Sequence, residues 1–243
     1  MFILPDIFKH QIEEDAKVRE DLIRYLSSFL ELARWQRLQQ VAAARTRHVT
    51  VLVEDLYQMQ NCSAVLRTCE CYGLQNIHVV ARKNEFQVHK AISMGADKWL
   101  SINYYHSDED VREGILLLKK QGYRVVATLP GEHHVCLDDL PVEQPSVFLF
   151  GTELHGLSPD LIHIADTPMK IPMYGFTESF NISNSVAIVL STFVEKLRKS
   201  SYSWQLSPKE QEFLLIEWLQ KSVKHADFLI NKFFQENIAQ FKK

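Results

Sequence analysis

The chain has no long apolar run, no paired cysteines and no large net charge. No stretch approaches the ~20 consecutive apolar residues that a membrane-spanning helix needs. The opening residues, MFILPDIFKHQIEED, break a short apolar patch with proline and charge, which is unlike a signal peptide. A soluble, cytoplasmic protein is expected. Cys62, Cys69, Cys71 and Cys136 form no C-x-x-C pair, a usage that fits reduced thiols better than a secreted disulfide scaffold. A net charge of −3 over 243 residues gives no bulk signature of nucleic-acid binding. No G-x-x-x-x-G-K-[ST] or G-x-G-x-x-G is present, which disfavours a phosphate loop or an ordinary dinucleotide fold. There is no G-x-S-x-G nucleophile elbow. His133-His134 and Cys136 lack a second cluster to complete a tetrahedral set, so no metal is expected. Internal repeats and low-complexity linkers are absent too.

What is present is a chain 46% hydrophobic, enough to bury a substantial core. Its charge is uneven: Arg34, Arg37, Arg45 and Arg47 fall in a stretch without a single acid, a local basic patch. From Ile12 to Ala44 apolar residues (Leu22, Leu26, Phe29, Leu30, Ala33, Leu38) recur at three- and four-residue steps and predict one long helix. Short branched or apolar runs follow: VTVLVE (49–54), NIHVVA (76–81), KWLSI (98–102), YRVVAT (123–128), SVFLF (146–150) and MKIPM (169–173). Helix-like segments lie between most of them, at 61–71, 86–93, 108–121 and 159–165. That alternation predicts an α/β fold, a mostly parallel sheet flanked by helices on both faces.

A helix is expected from Asn181 to Lys199, and Ser207-Pro208-Lys209-Glu210 reads as a capping box with proline at the first helical position. Beyond it come Phe213, Leu214, Trp218, Leu219 and Val223, then Phe228, Leu229, Phe233 and Phe234. So many large apolar groups must pack either in the chain's own core or against a partner.

Three polar, glycine-bearing stretches follow predicted strands: EDLYQMQNCSAVLRTCECYG, FGTELHGLS and YGFTESFNISNSVA. Ligands of open α/β sheets bind outside the carboxyl ends of strands, so one shared site is expected there. Asn61 fits a helix N-cap or a site residue, and the two roles are compatible. Arg67, in an apolar turn, fits an ion pair or an anion contact. Ser179 and Asn181 fit an N-cap, but Ser183, Asn184 and Ser185 make the polar density greater than one cap needs. FGTELHGLSP resembles a phosphate loop in outline, yet carries Glu153 where an anion would need positive charge.

These stretches, in this order, resemble the three signature motifs of the SpoU (TrmH-type) RNA 2′-O-ribose methyltransferases of the SPOUT superfamily. The matching residues are NCSAVLRTC (61–69), FGTELHGLS (150–158) and IPM with SFNIS (171–183), and the likeness covers roughly Arg34 to Lys199. Within the family the chain is most similar to the branch that acts on a D-loop guanosine of tRNA. A ribose of ribosomal RNA or of an anticodon loop is the alternative target. A non-catalytic RNA-binding protein on the same fold would be expected to have lost Asn61, Arg67, Glu153 or Asn181, and all four are present.

The resemblance implies a deep trefoil knot at about 125–195, inside a catalytic domain spanning 48–200, with helical extensions at 1–47 and 201–243. It implies a homodimer that completes the site, and S-adenosylmethionine as cofactor. Arg67, Asn61, Glu153, Ser179 and Asn181 become the catalytic set, with Glu153 partnered by Arg67 or Asn61. Thr128, Leu129, Gly151, Ile171, Met173 and Ile182 match cofactor-lining positions, and Arg34, Arg37, Arg45 and Arg47 become the RNA-binding arginines. The family gives the first-motif arginine the role of proton acceptor. A guanidinium ordinarily keeps its proton to above ~pH 12, so stabilisation of a forming alkoxide and its phosphate is the better first role. The chain departs from the family pattern at Gln60, Thr152, His155, Asn184, Ser185 and Glu195.

Overall fold

In chain order the helices are α1 (Asp6–Glu14), α2 (Ala16–Ser27), α3 (Leu32–Ala43), α4 (Met59–Cys71), α5 (Lys90–Ser93), α6 (Asp108–Lys120), α7 (Pro159–Ile164), α8 (Ile182–Lys199), α9 (Pro208–Ser222) and α10 (Ala226–Phe241). The strands are β1 (Val49–Glu54), β2 (Asn76–Val80), β3 (Ser101–Tyr105), β4 (Arg124–Thr128), β5 (Val135–Cys136), β6 (Ser146–Phe150) and β7 (Thr167–Lys170). The structure, a computed structural model, describes residues 6–131 and 134–241. The opening MFILP and His133 lie outside the described residues. Two compact units emerge, Thr46–Trp204 and Met1–Arg45 with Gln205–Lys243.

In the first unit the strands form one sheet in the order β3-β2-β1-β6-β4-β7-β5. Every pairing is parallel. Alternation along the strands sends side chains to both faces. Val49, Val51, Val53, Phe148 and Phe150 pack with Cys62, Val65 and Leu66 of α4 and with Val186, Val189, Leu190 and Phe193 of α8. Leu52, Val125, Ala127, Val147 and Leu149 point the other way, into Val111, Ile115 and Leu118 of α6 and Leu161 of α7. Both faces of the central strands are covered, which is why they read as continuous apolar runs.

Two strands sit away from their expected positions. β3 covers 101–105 rather than 98–102, because Ala96–Lys98 forms a 3-10 turn that runs into it. β7 covers 167–170 rather than 169–173, and Pro172 lies beyond its end. The short β5 was not foreseen. Of the segment 86–93, only Lys90–Ser93 is helical.

In the second unit the expected long amino-terminal helix is instead three helices. Asp15 has extended backbone and its carboxylate accepts from the Lys17 and Val18 amides, so it caps α2 rather than continuing α1. After α2, the hydroxyls of Ser27 and Ser28 turn back onto the Arg24 and Tyr25 carbonyls. α2 packs on α9 and α10, and α3 on α9. Leu214, Trp218, Leu219, Val223, Phe233 and Phe234 are buried, so the carboxyl-terminal apolar groups belong mainly to the chain's own core; Phe228 stays exposed. Arg19 is buried where α1 meets α2, donating to Glu212 Oε2 at 2.6 Å and to the Ile12 carbonyl at 2.8 Å.

Candidate active site

Four neighbouring parallel strands, β1, β6, β4 and β7, bring their carboxyl ends to one edge of the sheet. The loops leaving them enclose a cleft of about 670 Å³, within the usual range for a small-molecule site. The β1–α4 connection and the first turn of α4 contribute Gln58 and Asn61, and the end of β4 contributes Thr128, Leu129 and Pro130. The β6–α7 loop contributes Gly151 to Leu157, and the β7–α8 connection contributes Ile171, Met173, Glu178, Ser179, Phe180 and Asn181. Ile182 and Ser185 of α8 close the lining.

Ten sequence-predicted residues therefore meet here: Asn61, Glu153, Ser179 and Asn181, with Thr128, Leu129, Gly151, Ile171, Met173 and Ile182. A hydrogen-bonded chain joins the three motifs. Asn61 Nδ2 donates to Glu153 Oε1 at 2.9 Å, and Asn181 Nδ2 donates to Asn61 Oδ1 at 3.2 Å. Asn61 is not the N-cap of α4, which starts at Met59 with Gln58 in the cap position. Asn181 does both jobs: its Oδ1 accepts from the Ser183 amide at 2.9 Å and so caps α8.

Glu153 also accepts from the Tyr57 amide at 3.3 Å and the Gln58 amide at 3.5 Å. Burial works to raise its pKa, but the bonds from Asn61 and from the backbone amides outweigh it, and the net shift is downward from 4.5. The carboxylate is held in its charged form. Of the two partners expected for it, Asn61 is the one that makes the contact.

The turn carrying Glu153 is narrow. Thr152 and Gly156 exchange backbone hydrogen bonds of 2.9 and 3.1 Å. A Cβ on Gly151 would fall 2.0 Å from the Gly156 carbonyl carbon, and Gly156 has φ +69°. Both glycines are required by geometry. Thr152 helps close the turn, its Oγ1 accepting from the His155 amide at 3.0 Å. Leu154 and His155 stand exposed at the tip. The described lining holds two carboxylates, Glu153 and Glu178, and neither lysine nor arginine. The arrangement suits a cationic ligand with an apolar body, not a phosphate.

Arg67 does not line this cleft. It lies six residues beyond Asn61 on α4, about 240° around and ~9 Å along the helix. It is exposed, with Nη1 3.5 Å from the Ile92 carbonyl. Among the four expected RNA-binding arginines, Arg34 and Arg37 are exposed on α3. Arg45 is a correction: it is fully buried, its guanidinium 5.3 Å over the Trp218 ring, and is not available to a phosphate. Arg47 is half-buried, donating Nε to Asn76 Oδ1 at 3.3 Å, and precedes β1 at the sheet edge opposite the cleft. Among the described residues no group of three or more His, Cys, Asp or Glu is placed to hold a metal.

Gln58, Glu178 and Phe180 line the cleft without having been given a role. Phe180 lies inside the third motif, Glu178 adjoins Ser179 and Gln58 stands three residues before Asn61, so a wider reading of the motif loops includes them; Ser185, of the polar cluster after Asn181, joins the lining as well.

The profile of the SpoU rRNA Methylase family matches residues 48–191, which contain the seven described strands and the described lining of the cleft. The chain belongs to the SpoU rRNA Methylase family. It is 37% identical over 209 residues to the tRNA (guanosine(18)-2'-O)-methyltransferase of Borreliella burgdorferi, covering 86% of this chain and 94% of that one. With the enzyme of the same name from Thermus thermophilus it shares 31% over 191 residues, 78% of this chain and 97% of that one. The crystal structure of the A. aeolicus TrmH/SpoU tRNA modifying enzyme superposes with a TM-score of 0.70 at 28% identity, covering 79% of this chain and 97% of that one. Helices α1 to α3, α9 and α10 lie outside the matched residues.

Proposed function

We propose that this SpoU chain transfers a methyl group from S-adenosylmethionine to the ribose 2′-oxygen of a guanosine in the D-loop of tRNA. The observation that carries the reading is the Glu153–Asn61–Asn181 chain, which joins the three motifs around a cleft whose described lining bears acids and no fixed cation. The relatives above carry the tRNA guanosine activity in their names, over most of this chain's length.

The residues present fit the cofactor. Gly151, whose close packing on Gly156 shapes the turn, and the half-buried Leu129, Ile171, Met173 and Ile182, all on the cleft lining, would hold an adenosine by backbone and apolar contact. Glu153, kept ionised by Asn61 and two loop amides, would favour a nearby positive centre. When bound, S-adenosylmethionine supplies a methyl group activated by its cationic sulfonium.

The ribose 2′-OH is a poor nucleophile, so the chain must orient it and help its proton leave. Asn61, Ser179 and Asn181 at the cleft would fix the ribose and the loops around it. Arg67 would stabilise the forming alkoxide and the adjacent phosphate. It is exposed and outside its own chain's cleft, the placement required of a residue that completes the site of a second copy. A homodimer is therefore part of the proposal. So is a trefoil knot at about 125–195: β6 inserts between β1 and β4, and α8 then returns against α4. The exposed Arg34 and Arg37 of α3 would take tRNA phosphates. Incubation with labelled S-adenosylmethionine and, side by side, unmodified tRNA or ribosomal RNA tests the reading; a 2′-O-methylguanosine in the tRNA D-loop is expected, and label only in ribosomal RNA would refute the target.

A further inference from the structure

We infer that Glu54 and Arg82, which lie outside the described lining of the cleft, are positioning residues for the Gly151–Ser158 loop and set its affinity for the cofactor. The inference rests on the proposed S-adenosylmethionine reading. Glu54 is the last residue of β1, its side chain 2% exposed. Its Oε2 accepts from the Ser158 amide at 2.8 Å, at the exit of the β6–α7 loop, and its Oε1 accepts from Arg82 Nη2.

Glu153 makes the mirror-image contact. It projects from the β6–α7 loop and accepts the Tyr57 and Gln58 amides of the β1–α4 connection. Each loop thus lends a carboxylate that the other's amides satisfy, and the β6–α7 loop is fixed at two points, Glu153 and Ser158. Two adjacent buried acids, Glu54 and Asp55, are costly unless paired. Arg82 pairs with both, reaching Asp55 Oδ2 at 3.3 Å, and its third contact is Asp108. Asp55 Oδ1 also accepts the Arg82 and Lys83 amides at 2.7 and 2.8 Å. The hub locks the segment after β2 to the end of β1, and through Ser158 to the cofactor loop.

The contact can be cut from either side. Glu54→Gln keeps the shape but places an NH₂ where only donors point. Ser158→Pro fits the backbone φ of −63° and removes the amide donor, while its ring carbon pushes the Glu54 carboxylate away; the hydroxyl lost with it caps nothing. Full-length wild type, both single variants and the double variant are titrated with S-adenosylmethionine by calorimetry and assayed for methyl transfer at saturating cofactor. Thermal melting confirms that each is folded. Each single variant should raise the cofactor Kd about tenfold with kcat changed less than about threefold, and the double variant should be no weaker than the worse single. Unchanged affinity in the folded single variants, or losses that multiply in the double, overturns the inference. Should Glu54→Gln not fold, Ser158→Pro alone decides by the same Kd. Failure of the wild type to bind S-adenosylmethionine instead overturns the functional reading, and this inference with it.

Discussion

Asn61 shows how much of the site is carried by one small side chain. Its amide donates to Glu153 and its carbonyl accepts from Asn181, so Asn61→Ala unlinks all three motifs at once. A loss of methyl transfer of at least about 100-fold is expected, more than a single lost hydrogen bond gives, because both partners are left unsatisfied; steady-state kinetics measures it. Arg67→Ala should abolish methyl transfer while cofactor binding survives, since Arg67 is outside its own cleft; calorimetry beside a turnover assay separates the two, and normal turnover would remove Arg67 from the mechanism. The lowered pKa of Glu153 sets a pH dependence. A depressed carboxylate pKa gives a contribution that is full above the ordinary value and lost as pH falls through the lowered one. The melting-temperature difference between wild type and Glu153→Gln should therefore hold steady from about pH 6 to 8 and shrink only in acid below 4.5. Arg45 marks the limit of reading single residues. On sequence it belonged to a basic patch, and only the fold brings Trp218 against it.

The elements were legible where one local cause decides them. β1, β4 and β6 are apolar runs buried on both faces, and α9 starts at a capping box, with Ser207 Oγ accepting from the Glu210 amide and Glu210 Oε2 from the Ser207 amide. Ser207→Ala should cost about 1 kcal/mol of stability, read by denaturant unfolding. The misses have competing causes. Apolar spacing ran on from Ile12 to Ala44, but Asp15 and the Ser27-Ser28 pair divert the backbone into caps and turns that periodicity does not record. The glycine turn was legible as a turn and Glu153 already set it apart from a phosphate loop; its ligand came from the motif resemblance, and the acid-bearing described lining without lysine or arginine agrees with it. Gly151→Ala would drive a methyl into the Gly156 backbone. Loss of cofactor binding with the sheet intact by circular dichroism is expected.

At the scale of the molecule, the parallel sheet and the single loop-lined edge follow from the alternation of strands and helices. The strand order does not, because insertion of β6 between β1 and β4 depends on pairings distant in sequence. The grouping of both chain ends into one compact unit was equally hidden: each terminal helix shows an apolar face, and neither names its partner. Arg34 and Arg37 stay as the exposed α3 candidates for phosphate contact. Changing both to alanine should reduce the slope of log affinity against log salt by about 2; an unchanged slope removes α3 from the tRNA interface. The central claim, ribose methylation of a tRNA guanosine, is tested most directly by mapping the nucleotide labelled when the protein meets labelled S-adenosylmethionine and unmodified tRNA. The account predicts one 2′-O-methylated D-loop guanosine, absent with Arg67→Ala, whereas label on a base, at another tRNA position or nowhere would contradict it.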